Sequence, residues 1–115
     1  TKHHIREDEI MVANLINNNG RAVANQFVIT DGKTIAFQSY DSLVCEIRGA
    51  GMGFDNVVVL GRDWDYSNTT RKHLYGFLAQ NNIPIENKAD VLDALKRGHC
   101  RKDEAIAVWL DETMY

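Results

Sequence analysis

Residues 23–47 read VANQFVITDGKTIAFQSYDSLVCEI, three β-like runs separated by two turn signals. Val23 to Thr30 is rich in β-branched residues, and Asp31-Gly32 is the strongest short hairpin signal a sequence carries. Thr34 to Tyr40 alternates Ile35, Phe37 and Ser39 against Ala36, Gln38 and Tyr40, so one face is apolar and the other meets water or a second layer. After Asp41-Ser42, Leu43, Cys45 and Ile47 alternate with Val44 and Glu46. Gly49, Gly51 and Gly53 then make a flexible loop, and NVVVL at 56–60 reads as a fourth, more buried strand. The connections are too short for parallel crossovers, so the four strands form an antiparallel meander.

Helical signals flank the meander. In IREDEIMVANLINN, residues 5–18, Ile5, Asp8, Val12, Leu15 and Ile16 fall along one helical side, with Met11 beside them. Glu7, Asp8 and Glu9 occupy the first turn, where negative charge complements the helix dipole. Asn17-Asn18-Asn19-Gly20 reads as the stop. Downstream, the polar and aromatic run Gly61 to Asn68 leads into a helix with Ser67 or Asn68 as N-cap and Leu74, Phe77 and Leu78 on one side. Asn81-Asn82 and Pro84 end it. A third helix starts at Asn87, carries the stripe Val91, Leu92 and Leu95, and closes at Lys96-Arg97-Gly98. HCRKDE reads as a polar loop, and AIAVWL at 105–110 as a last strand. The order α-β-β-β-β-α-α-β predicts an α+β domain, a largely antiparallel sheet of about five strands with three helices packed on one face.

The 115 residues carry 13 Lys+Arg and 16 Asp+Glu, a net charge of -3, with 44% hydrophobic and 25% charged residues. That is one globular domain spanning 1–115. The mild acidity argues against a general nucleic-acid coat protein, whose affinity rests on phosphate neutralisation. Cys45 and Cys100 are too few for a disulfide framework and follow no metal-ligand spacing. The N-terminal TKHHIREDE is polar, and no apolar run approaches the ~20 residues that span a bilayer. The chain therefore reads as a reduced, soluble, cytoplasmic protein.

Several residue groups invite chemistry, each beside a plainer reading. GAGMGF at 49–54 lacks the helix that a dinucleotide loop needs and reads as an inter-strand connection. Asp63 and Asp65 can ligate a divalent cation, but two carboxylates make a weak site. The plainer reading has Asp65 accepting backbone N–H bonds ahead of the helix and Asp63 solvated. Thr69, Thr70, Arg71, Lys72 and His73 make an anion-friendly helix start, although adjacent Arg71 and Lys72 point about 100° apart. His3-His4 and His99-Cys100 have no tetrahedral complement. Cys45 reads as a core residue, with a Cys45–His73 pair unsupported by spacing. Trp64 reads as an anchor pinning its loop to the sheet, while Tyr66 and Tyr75 are the surface candidates.

FQSYDSLV (37–44) together with LGRDWDYSNTTRKHLYGFL (60–78) resembles a family of small uncharacterised proteins found mainly in bacteriophages and mobile elements. Its members share an F-Q-S-Y-x-S strand turn and a W-D-Y-S-x-T-T helix start, and the resemblance covers roughly residues 33–81. No established activity comes with it. It makes Trp64, Asp65, Ser67, Asn68, Thr69 and Thr70 a structural brace first. The leading functional expectation is a non-enzymatic phage or mobile-element protein that binds a host protein or ribonucleoprotein complex, in concrete form an anti-CRISPR-like inhibitor of host defence. Candidate binding residues are Tyr66, Arg71, Lys72, Tyr75, Glu7, Asp8 and Glu9, with a second acidic group from Asp103-Glu104 to Asp111-Glu112. The alternative is a nucleic-acid or nucleotide binder using Arg62, Arg71, Lys72 and the basic cluster Lys96 to Lys102. A metal-assisted phosphoesterase on Asp63, Asp65 and His73 comes third. No cofactor, resident metal or membrane partner is expected.

Overall fold

The computed structural model describes residues 10–32, 34–49 and 57–103. The expected strand at 105–110, most of the glycine loop, His3-His4, and the acidic groups Glu7-Asp8-Glu9 and Glu104 to Glu112 lie outside the described residues.

Among the described residues the chain forms β1 (Ile10–Ile16), β2 (Ala22–Asp31), β3 (Thr34–Ser39), β4 (Ser42–Arg48), β5 (Val57–Leu60), α1 (Asn68–Gln80), α2 (Lys88–Arg97) and β6 (Cys100–Lys102). The strands make one sheet of six in the order β1-β2-β3-β4-β5-β6. The first five run antiparallel, and β6 joins β5 in parallel. The architecture is α+β, but six mixed strands with two helices replace the expected five strands and three helices.

The first correction is β1. Of the residues expected in a helix from 5 to 18, Ile10–Ile16 form a strand that pairs with β2, Ile10 opposite Asp31 through Asn14 opposite Phe27, while residues 5–9 lie outside the described residues. IMVANLI fits two periods at once: Val12, Leu15 and Ile16 lie at helical spacing, while Met11, Ala13 and Leu15 alternate. A neighbouring strand with an open edge resolves the ambiguity, because it offers every second backbone group a partner. The supposed helix stop is a hairpin loop. The Asn17 Oδ1 accepts the N–H groups of Asn19 and Arg21 at 2.9 and 3.0 Å, and Gly20 sits at φ 79°, the left-handed turn conformation glycine adopts cheaply.

The second correction is a bulge in β4. Phe37 faces Cys45 but Gln38 faces Leu43, so Val44 is the extra residue and the alternation inverts across it. Cys45 and Ile47 enter the main core with Phe37, whereas Leu43 joins Ile29, Ala36 and Val59 on the opposite face. All five residues from Leu43 to Ile47 are buried. Glu46 meets that burial with an ion pair to Arg48.

The third correction is β6, inside the expected polar loop. A parallel neighbour needs a long crossover, and α1 with α2 supply it. Both helices cover one sheet face, placing Leu74, Phe77, Leu78, Val91 and Ala94 on Phe37, Cys45, Val58 and Leu60. Leu92, expected in the stripe, is exposed, and Ala94 takes its place. The helix ends follow local rules. After α1, Ile83 N–H reaches Leu78 O at 2.9 Å and Asn82 N–H reaches Ala79 O at 3.0 Å, with Asn82 at φ 61°, a Schellman closure that turns Ile83 onto Leu78. Asn87 caps α2 through the Asp90 N–H, and Gly98 at φ 78° closes it. Among the described residues no helix is long and apolar enough to cross a membrane.

Candidate functional site

Between β5 and α1 the chain turns twice, with Trp64 N–H bonded to Gly61 O at 3.3 Å and Tyr66 N–H to Asp63 O at 3.1 Å. These turns send successive side chains in different directions. Trp64, 6% exposed, packs into the main core. Asp63 accepts the Ser42 hydroxyl from the β3–β4 turn and lies 3.9 Å from Arg62. Tyr66 is 79% exposed. Ser67 is the N-cap of α1, its Oγ accepting the Thr70 N–H at 3.1 Å.

Asp65 was expected to hold backbone amides, and it holds two cations instead. Arg71 of α1 pairs with one carboxylate oxygen, and Lys88 of α2 with the other at 2.9 Å. Asp65 thus ties together two helix starts. Bonds from Lys88 and Arg71 hold its carboxyl below the ordinary aspartate range, against a smaller opposing effect of burial. A carboxylate depressed in the folded state stabilises above its unfolded pKa and stops doing so as pH falls through the folded one. Two partly exposed pairs contribute about 0.2–1 kcal/mol each. Asp65→Asn is therefore expected to lower Tm by roughly 2–6 °C at pH 7, the gap closing as both proteins are taken below the carboxylate range. A gap unchanged at the acid end of a pH series of melts would assign the loss to packing.

On the other side of this loop, the β3–β4 turn and the start of α1 enclose a cleft of about 570 Å³. Its lining includes Gln26 of β2, Ser39 to Ser42 of the turn, Asp63, and Tyr66 to Thr70 in part. The turn residue Tyr40 is 63% exposed and sits at φ 53°, a left-handed conformation uncommon outside glycine, asparagine and aspartate. Its N–H bonds Asn25 O at 2.7 Å, and its carbonyl accepts the Gln38 side-chain amide. Among the described residues the lining holds no lysine or arginine; Asp41 and Asp63 are its charged members. Gln26 is 3% exposed, and its Oε1 is buried without a hydrogen-bond partner. Such an orphan acceptor costs roughly 1–3 kcal/mol.

The expected binding residues divide between two places. Tyr66 belongs to the cleft, with Ser67, Thr69 and Thr70. Arg71, Lys72 and Tyr75 line a separate groove with Asn68, His73, Lys88 and the β1–β2 loop. Arg71 is turned to Asp65 and Asn68, while Lys72 is exposed. Tyr75 is half-buried and not a free surface residue: its ring packs on the core, its hydroxyl is buried without a partner, and burial raises its pKa. Burial, then Lys72, lowers the pKa of His73. Among the described residues no three His, Cys, Asp or Glu side chains come together as a metal site, so Asp63, Asp65 and His73 do not converge. Cys45 is fully buried and its thiol is pushed far up; burial pushes Cys100 up to about 11. Both are poor nucleophiles.

Gln26, Asp41 and Ser42 were missed as cleft residues. One signal was available: Asn25-Gln26 interrupts an otherwise β-branched strand, and Asn25 at φ 63° marks where β2 bends. Paired polar residues inside such a run announce either a bulge or a site.

Comparison with curated proteins and with solved structures returns no match. The sequence profile of one family spans residues 10–93, from β1 into α2, and takes in the cleft, the groove and the Asp65 tie. The chain thus belongs to DUF8033, a family of unknown function.

Proposed function

We propose that this domain is a non-enzymatic binding module that engages a macromolecular partner through the face bearing Tyr40, Asp41, Asp63 and Tyr66. The observation that carries this reading is the meeting of two strongly exposed tyrosines, from separate turns, on one cleft. Leaving a large aromatic in water forgoes about 1.5–3 kcal/mol of burial. Exposed tyrosines beside a concavity are the usual anchors of protein interfaces. With Asp41 and Asp63 in the same lining, the face complements a basic partner surface. In concrete form the partner is a host defence protein or ribonucleoprotein complex whose basic surface handles nucleic acid, and the domain is a phage or mobile-element inhibitor acting in the host cytoplasm.

The test is a phage plaquing assay in bacteria with an active CRISPR system, expressing the wild-type domain or Tyr40→Ala/Tyr66→Ala. The wild type is expected to raise plaque counts by at least tenfold, and the double variant to lose that effect while keeping its thermal melt. No rise across hosts carrying different defence systems would sink the inhibitor reading.

A second reading draws on the other groove, where exposed Lys72 stands beside His73 and the unpartnered Tyr75 hydroxyl. It is a nucleic-acid contact. Its signature is oligonucleotide affinity that falls steeply with salt and drops further in Lys72→Ala.

A further inference from the structure

We infer that the cleft between the β3–β4 turn and α1 takes a guanidinium group, presented as an arginine side chain by the partner. The inference rests on the binding reading above and names the chemistry recognised.

Three features of the lining converge on this group. The first is Gln26, whose buried Oε1 lacks a donor beside a cleft it lines. Buried acceptors in native proteins are nearly always paired, and one left open at a cavity marks where a donor belongs. The terminal torsion of glutamine is broad and roughly two-fold, so turning the amide exchanges its buried oxygen with its nitrogen and brings the oxygen to the cleft to meet an entering N–H. The second feature is acceptor excess. When ionised, Asp41 and Asp63 accept hydrogen bonds and donate none, and the hydroxyls of Ser39 and Ser42 add lone pairs, that of Ser42 already donating its proton to Asp63. The third is the exposed aromatic pair Tyr40 and Tyr66, whose faces stack with a planar cation.

The electrostatics select against an anion. The start of α1 contributes about +0.5 of a charge, and Arg62 approaches Asp63 no closer than 3.9 Å, outside the lining. Asp41 has no ion-pair partner among the described residues, and two carboxylates outweigh the helix end. A phosphate or carboxylate ligand would meet them with no lysine or arginine in the lining to offset the repulsion. Guanidinium carries five N–H donors in a planar fork and no acceptor, the complement of this wall.

Titration of the ¹⁵N-labelled protein with N-acetyl-arginine-amide tests the assignment. Saturable shifts are expected for the Gln26 side-chain amide and for the backbone amides of Asp41 and Tyr66. N-acetyl-norleucine-amide, of similar length without the charge, and glucose are expected to leave them in place. Gln26→Leu is expected to weaken arginine-amide binding at least tenfold with an unchanged or higher Tm. Asp41→Asn, at an exposed turn position, is expected to weaken it several-fold and serves if the leucine disturbs folding. Equal shifts with norleucine-amide or glucose, no saturable shift, or wild-type affinity in these variants would overturn the assignment. The plaquing assay keeps the two ideas apart. An inhibitor that survives Gln26→Leu and Asp41→Asn but not the double tyrosine variant leaves the binding reading standing and removes the guanidinium.

Discussion

Phe37→Ala is expected to lower the unfolding free energy by about 3–5 kcal/mol, the usual cost of truncating a buried phenylalanine. Phe37 is fully buried and lies in the cross-strand row Val28–Phe37–Cys45–Leu60. Its ring stacks on Phe77 of α1, with centroids 5.6 Å apart and planes at 25°. The side chain is therefore the joint between the centre of the sheet and the first helix. Removing it opens a cavity and also forfeits the aromatic pair, worth roughly 0.5–1.5 kcal/mol beyond area burial. A domain of this size is stable by about 5–15 kcal/mol, so a single truncation removes a large share. Urea denaturation followed by circular dichroism should show a lower midpoint with an unchanged slope. A loss below about 1 kcal/mol would mean that α1 does not rest on this row.

Trp64→Ala is expected to cost a similar amount, about 3–5 kcal/mol, whereas Tyr66→Ala, two residues along the same loop, should change stability by no more than about 0.5 kcal/mol. The contrast follows from exposures of 6% and 79%. Trp64 belongs to the same cluster as Leu60, Leu74 and Phe77, so its loss loosens the loop that positions Asp63, Asp65 and Ser67. Thermal melts of the two variants decide the matter. A wild-type melt for Trp64→Ala would transfer this indole from the core to a binding surface, and a collapsed melt for Tyr66→Ala would remove the argument for the exposed face.

The candidate site was half legible in the sequence. The helix start could be read, because Ser67 needs only to reach an amide three residues on. Trp64, expected as a brace, is buried in the main core; whether it braces the loop is what the Trp64→Ala melt decides. The partners of Asp65 could not be read, since Lys88 lies beyond a whole helix from it. Nor could the cleft, which assembles Gln26, Ser42 and Asp63 from three separate elements. The sequence offered Tyr66, Arg71, Lys72 and Tyr75 together as binding candidates, without revealing that Tyr66 lines one cavity and the other three another, or that Arg71 is already occupied by Asp65.

By itself the amino-acid order determined what short-range physics can settle. Asp31-Gly32 turns the chain, β-branched content marks β2 and two-residue alternation marks β3, and Asn87, Asn82 and Gly98 bound the helices through bonds spanning a few residues. Tertiary structure alone decided the rest. IMVANLI became a strand because β2 offered an unpaired edge, Leu43 changed faces because Val44 is accommodated as a bulge, and Cys100–Lys102 became a strand because α1 and α2 carry it back beside β5. The physical reason is common to all three. Where local preferences are nearly balanced, the larger free energy of pairing an open sheet edge and covering a sheet face selects the outcome, and that free energy depends on residues far away in the chain.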